Sequence, residues 1–255
     1  MILHRISRNI REQNWFTVAI ELSVVVAGIY FGLKADSWSG EQRDRIVEDQ
    51  YLVRLLSDME ESVVLQREVI KTNQEAADAM DALAVALNDR TLGDAEGEEI
   101  EYALNSLGWV APPVTNLVTI RELQSTGNIS LIQSIPIRKA LGKIELSFAL
   151  TESSADHTQS RISPALDEIR TWAFFPAAPV AGEYESITHP QSTFGFTIQP
   201  NLEVMMSQQG AANTVSWISG WTKYHGALLQ QHLEEIVALR DLLRETIEVV
   251  EQSSQ

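Results

Sequence analysis

Side chains able to bind a metal, move a proton or attack a carbon are few in this chain, and their spacing limits what they can do. The five histidines are His4, His157, His189, His225 and His232. His225 and His232 are seven apart, on one helix face but about 10 Å apart along the axis at ~1.5 Å per residue. A zinc ion, with its nitrogen ligands only about 2 Å away, cannot be shared across that gap. His232-Leu-Glu-Glu lacks the second histidine of a metalloprotease helix, and Gly142-Lys143 lacks the earlier glycine and the following hydroxyl of a phosphate loop. No Gly-x-Ser-x-Gly elbow occurs. The absence of cysteine removes thiolate nucleophiles, disulfides and cysteine metal sites together. Carboxylates such as Glu98, Glu99, Glu101, Glu234 and Glu235 read as solvated helix faces, and no loop has the oxygen-ligand pattern of a calcium site. The sequence therefore assigns no catalytic, cofactor-binding or metal-binding residue, and the chain reads as non-enzymatic.

Two features remain. One is Glu21, an ionisable residue inside the apolar run Thr17–Leu33. Positions 21, 25, 28 and 32 fall on one helical stripe, so Glu21 shares a face with Val25, Gly28 and Gly32. Gly28 and Gly32 form a Gly-x-x-x-Gly pair, which lets a second helix backbone approach closely. This face is the predicted partner contact, for a second copy or for another membrane protein; the bland alternative is that Glu21 snorkels to the headgroups. The other feature is the stripe Trp217, Trp221, Tyr224. It reads either as core packing or as an outer interface, and Trp172, Phe174, Phe175, Phe194 and Phe196 invite the same two readings.

These residues need elements to hold them. The 17 residues Thr17–Leu33 make about 26 Å of helix, short but sufficient for a bilayer core of ~30 Å when anchors flank it. Trp15 and Trp38 bracket the run as interfacial aromatics. A cleaved signal peptide lacks a clean cleavage site after the run, and a buried core helix would not need the tryptophans. The predicted organisation is a cytoplasmic N-terminus over 1–16, a transmembrane helix over 17–38 and a helical extracytoplasmic domain over 39–255. Arg5, Arg8 and Arg11 precede the span; Lys34, Arg43 and Arg45 follow it. The long C-terminal domain breaks this tie in favour of translocation, to the periplasm of a bacterium.

The outer domain reads as all-α, an elongated antiparallel bundle whose first and last helices are longest. Ser39-Gly-Glu-Gln42 resembles a capping box, with Gly40 marking a bend. Apolar residues then recur from Leu52 through Leu55, Met59, Val63, Ile70, Ala77, Met80 and Ala84 to Leu87, with Gln66 and Asn73 in two seam positions. Asp94 is placed as the cap of a helix reaching Leu107, and Pro112-Pro113 as a break. Thr115 is the expected cap of a helix that ends before Gly127. Ser134 and Pro136 start the next one, with Pro164 interrupting or restarting it. Residues 176–213, rich in proline and glycine, form a long loop. The last helix runs Val215–Val250, with Trp217, Trp221, Tyr224 and Leu228 in its seam alongside Ile236, Leu239, Leu243, Ile247 and Val250.

Two blocks carry a resemblance. EQNWFTVAIELSVVVAGIYFGLKADSW with EQRDRIVEDQYLVRLLSDMEES, and TIRELQSTGNISLIQSIPIRKALGKIE, resemble an uncharacterised family of bacterial single-span membrane proteins. The matching elements are Glu21, Val24 to Val26, Gly28, Gly32, Trp38, Tyr51 and Leu52, then Leu123, Ser125 and Gly127. Together they cover about a third of the chain. The resemblance implies a membrane anchor and a helical extracytoplasmic domain, and no activity.

Charge agrees with that division. The chain has 255 residues and a formal net charge of −16. Residues 1–40 carry four basic against three acidic residues, leaving 15 basic and 32 acidic beyond them. Such acidity excludes nucleic acid as a partner, because phosphate contacts need Lys and Arg in excess. With 44% hydrophobic residues the chain is not wholly disordered. The partners expected are membrane lipid and, through the helix face, a second copy or a larger inner-membrane complex, a bioenergetic one included. A periplasmic sensor or ligand-binding module acting through a partner is the first alternative, and an envelope enzyme with an unrecognised carboxylate site the second.

Overall fold

The computed structural model describes residues 15–90, 97–169, 171–172 and 202–253, without the side chains of residues 15–19, 97–98, 101, 202, 251 and 253. Every regular element among them is helical. The helices are α1 (Trp15–Asp89), α2 (Gly97–Ser106), α3 (Val118–Ser125), a 3-10 turn (Asn128–Leu131), α4 (Ile135–Ile169), α5 (Leu202–Ser207) and α6 (Ala211–Ser253). The chain divides into two units, Met1–Gln50 and Tyr51–Gln255, and α1 contributes to both.

In the first unit α1 runs without a break through Ser39 and Gly40, so the predicted capping box starts no helix. From Ile20 to Leu33 every described side chain is exposed, apolar ones included, from 48% at Ile20 to 69% at Phe31. Trp38 is likewise exposed, and the Trp15 side chain lies outside the described residues. Among the described residues no helix is long and apolar enough to cross a membrane. The predicted span begins at Thr17, ahead of the first described side chain, and its assignment to a bilayer draws no support from that result.

The second unit is a three-helix bundle of α1 from Tyr51 onward, α4 and α6. Cross-helix hydrogen bonds fix the directions. Gln66 Nε2 donates to Leu229 O at 3.4 Å and Asn73 Nδ2 to Thr222 O at 3.2 Å. Ser219 Oγ donates to Ala77 O at 3.2 Å. Residue numbers rise on α1 as they fall on α6, and the contacts Ser147–His232 and Ser154–His225 show the same for α4 against α6. Helix α6 is thus antiparallel to both others. One line of buried residues on α1 keeps alternating steps of three and four: Leu52, Leu55, Met59, Ser62, Gln66, Val69, Asn73, Ala76, Met80, Leu83, Leu87. That is a heptad seam. Its polar members Gln66 and Asn73 stand where the sequence placed them, and the predicted Val63, Ala77 and Ala84 are buried beside Ser62, Ala76 and Leu83; Ile70 alone of the predicted seam is only half-buried, with Val69 buried next to it.

Helix α6 follows the same rhythm with Val215, Ile218, Thr222, His225, Leu229, His232, Ile236, Leu239 and Leu243. The predicted seam holds at Ile236, Leu239 and Leu243 and fails before them. Trp217 and Tyr224 are exposed, and the buried positions belong to Thr222, His225 and His232. Helix α4 passes through Pro164 to Ile169. The missing N–H and ring clash cost about 3 kcal/mol, but Ile162 and Ile169 on either side are buried in the core and hold the helix together. Helix α3 is capped differently from expectation. Leu117 occupies the N-cap without a side-chain bond; Asn116 Oδ1 accepts from Val118 N at 3.1 Å and Asp58 Oδ2 from Thr119 N at 3.2 Å. Gly127 ends α3 at φ +74°, and Ser134 Oγ accepts from Ile137 N at 3.4 Å at the start of α4. The expected 176–213 loop is too long: Leu202–Ser207 and Ala211 onward are helical, while 176–201 lie outside the described residues, as do Asp94, Phe174, Phe175, Phe194 and Phe196. Trp172 is buried.

Between α2 and α3 the chain from Leu107 to Leu117 is non-helical, yet Gly108, Trp109, Ala111, Pro113 and Leu117 are buried. At Gly108 the backbone is left-handed (φ +86°), which strains any L side chain, and a Cβ there would have to displace Leu166 Cδ1, 2.8 Å away. Close approach recurs at Gly226, where a Cβ would meet Asn73 Nδ2 at 2.5 Å. Ala for Gly within a helix is ordinarily worth about 0.5–1 kcal/mol of stability. Here that gain is offset by displacing Asn73 from its buried hydrogen bond, a loss of about 1–3 kcal/mol. Gly226→Ala is therefore expected to lower the unfolding free energy by about 1 kcal/mol in a urea titration followed by circular dichroism. In an Asn73→Ala background the same substitution should raise it. A Gly226→Ala effect of the same sign in both backgrounds would refute the clash.

Candidate functional site

Three places in the described structure concentrate chemistry: the buried histidines, a groove on the surface of α4 and α6, and the Glu21 face of α1. The histidines are built into the bundle by the non-helical segment. His225 Nε2 donates to Ala111 O at 2.7 Å and its Nδ1 lies 3.4 Å from Ser154 Oγ. His232 Nε2 is 2.6 Å from Thr115 Oγ1, and its Nδ1 is 2.7 Å from Ser147 Oγ. The Ser147 hydroxyl proton goes to Ile144 O at 3.0 Å. The same oxygen therefore accepts from His232 Nδ1–H, and Thr115 donates to Nε2. With His232 neutral, both ring nitrogens and both hydroxyls are paired. Burial pushes His232 down to about 4 and lowers His225 as well, the latter against its bond to Ala111. Among the described residues no carboxylate orients either ring, and both are buried. The arrangement holds the segment in place. Among the described residues no group of three His, Asp or Glu could hold a metal.

On the outer surface of α4 and α6 a groove of about 410 Å³ opens. Ser147, Thr151, Ser153, Ser154 and His157 line it from α4; Tyr224, Gln231 and His232 line it from α6, with Leu150 and Leu228 as its apolar members. The aromatic stripe continues from its rim. Trp221 packs edge-on against Trp217, Tyr224 and His157, with centroids 5.9, 5.5 and 5.6 Å apart. The Arg161 guanidinium sits over Trp221 at 5.9 Å. Trp217 is 54% and Tyr224 52% exposed, and Trp221 is half-buried. Trp217 and Tyr224 thus lie on the outer surface, while Trp221 between them packs against the core. Ser153, His157 and Gln231 escaped the sequence reading. The signal for the groove wall was present in the helical recurrence Ser147, Thr151, Ser154, Thr158, opposite histidines spaced by seven.

In the first unit Glu21, Val25, Gly28 and Gly32 are exposed on α1, and a Cβ at either glycine would meet nothing within 4 Å. The face is open to a second helix in this chain alone. In the second unit the two resemblance blocks come together: Tyr51 donates to Glu122 Oε1 at 3.1 Å, and Asn128 Nδ2 to Tyr51 OH at 3.2 Å. Arg54 pairs with Glu122, holding that carboxyl below its usual range. Comparison of the chain with family models, with curated proteins and with solved structures finds no match; the two blocks stay a resemblance.

The depressed His232 makes stability depend on pH in a definite direction. Its unfolded form takes up a proton near 6.5, while the folded form resists until about 4. Its contribution is whole above 6.5 and is lost as pH falls from 6.5 toward 4. In His232→Asn, Nδ2 keeps the donor to Ser147 without titrating. Between pH 7.5 and 4.5 the parent chain should lose on the order of 2 kcal/mol more stability than the variant. Chemical denaturation at both pH values measures it, and equal losses would refute a buried neutral His232.

Proposed function

We propose that this chain is a membrane-anchored, non-enzymatic interaction protein of a bacterial inner membrane, either self-assembling or an accessory subunit of a larger complex. Residues 1–16 would face the cytoplasm, the N-terminal part of α1 would cross the bilayer and the helical bundle would lie in the periplasm. The observation that carries the reading is the exposure of Ile20, Leu22, Val24, Val25, Val26, Ile29, Phe31 and Leu33 around the whole helix. A helix beside a soluble core buries one apolar stripe; one that is apolar all round needs an apolar solvent. At about 25 cal/mol per Å² the exposed surface favours lipid or a partner helix over water. Glu21 interrupts the run on the face that carries Gly28 and Gly32, where a partner would shield it from lipid at a cost below the 2.5–3.5 kcal/mol of a charge at the bilayer centre.

Two measurements test the reading. Native purification in mild detergent, with mass analysis of whatever travels with the chain, separates accessory subunit from homo-oligomer. Gly28→Leu with Gly32→Leu should abolish that association by at least tenfold in apparent affinity while leaving insertion intact. A complex of unchanged size would refute the helix face. The absence of cysteine makes topology equally direct. A single cysteine at Gln252 should react with a membrane-impermeant maleimide added to spheroplasts. Protection until the membrane is broken would invert the orientation.

A further inference from the structure

We propose that the α4–α6 groove is a binding site for a neutral saccharide. It goes beyond the membrane reading and does not rest on it. The groove lining includes no carboxylate, lysine or arginine, and the cation at its edge, Arg161, is engaged with His157 Nε2 at 3.4 Å and the Trp221 ring. Its polar groups are hydroxyl, amide and imidazole. Three of them, the side chains of Ser153, Gln231 and Tyr224, make no hydrogen bond to the described residues and are free to bind one. Leu150 and Leu228 give it apolar surface between those groups. This is the mixed pattern of a pyranose, whose hydroxyls lie around the edge and whose C–H groups form the faces. The electron-rich face of an aromatic ring attracts such C–H groups, which carry slight positive charge.

The neighbouring aromatics extend the argument along α6. Trp217 and Tyr224 are seven residues apart, about 10 Å along the helix, roughly the reach of two linked sugar rings. Both are half exposed on the same side. An apolar helix would leave Ser153 and Gln231 facing hydrocarbon without partners, at about 1–3 kcal/mol for each unsatisfied group in such cases. A sugar pairs them. The histidine beneath is locked to Thr115 and Ser147, so the groove wall is rigid before the ligand arrives.

The test is a fluorescence titration of the full chain with triacetylchitotriose and with maltotriose, in a polyoxyethylene detergent because glycosidic detergents would themselves compete. One of the two sugars should produce a saturable change in tryptophan emission, at roughly millimolar affinity. Gln231→Ala and Tyr224→Ala should each weaken it at least fivefold with unchanged helical circular dichroism. Gln231 is an exposed side chain without a structural bond, so its variant tests the site even if the tyrosine variant misfolds. Absence of a saturable change with both sugars, or variants that bind as the parent does, would overturn the proposal. Co-sedimentation with an insoluble β-linked glycan then separates sources: retention on the polymer marks a wall strand as ligand, and binding of the short sugars alone marks a free one. Either result supports the site.

Discussion

A stretch of non-helical backbone buried inside a helical bundle is the constraint on which the second unit depends. From Trp109 to Leu117 no helix satisfies the peptide groups, and water is largely excluded. Pro112 and Pro113 lighten the load by removing two N–H donors. Three more peptide groups are met by side chains reaching out of the helices. Gln66 Oε1 accepts from Val114 N at 2.8 Å, Ser62 Oγ accepts from Asn116 N at 2.9 Å, and His225 donates to Ala111 O. Each of these residues occupies a heptad seam position that an aliphatic side chain would otherwise fill. The seam gives up some apolar burial so that the segment can lie inside it. Where pairing is incomplete, at Asn73 Oδ1, Trp109 Nε1 and Thr158 Oγ1, no partner is present among the described residues, at about 1–3 kcal/mol for each such group.

This explains which parts of the fold were legible beforehand. Periodicity revealed the long helices because most seam positions on α1 are apolar, and Gln66 and Asn73 were recognisable as interruptions of an otherwise clear pattern. On α6 the reading chose the wrong stripe. Trp217, Trp221 and Tyr224 are the larger apolar groups, and a rule that buries the most apolar stripe selects them. The seam instead runs one position away, through Thr222, His225 and His232, because their partners lie on α1, α4 and the 109–117 segment. Those partners are between 70 and 150 residues distant in the chain, and no local pattern announces them. Pro164 failed as a helix breaker for the same reason: burial of Ile162 and Ile169 outweighs its local cost.

The candidate surfaces follow the same division. Glu21, Gly28 and Gly32 could be grouped from sequence alone because a single helix fixes their common face. The groove could not, since six of its residues come from α4 and four from α6. Only its aromatic edge was visible in advance, and the sequence left its role open between core and surface. The antiparallel pairing that sets Ser147 against His232 also sets His157 against Trp221. A surface feature is thereby fixed by the same register as the core.

The two halves of α1 solve opposite problems with one helix. Beyond Tyr51 the helix carries polar residues into a core, where Ser62, Gln66 and Asn73 each bond a backbone group. Before Leu33 it carries apolar residues outward on every side. A polar seam residue is tolerated because bundle neighbours complete its bonds; a continuous run of outward apolar residues leaves far more apolar surface uncovered than a scattered one. Glu21 belongs to the first kind but sits among the second. In the proposed membrane setting its neighbour would be a partner helix, and Gly28 and Gly32 leave room for one on its own face.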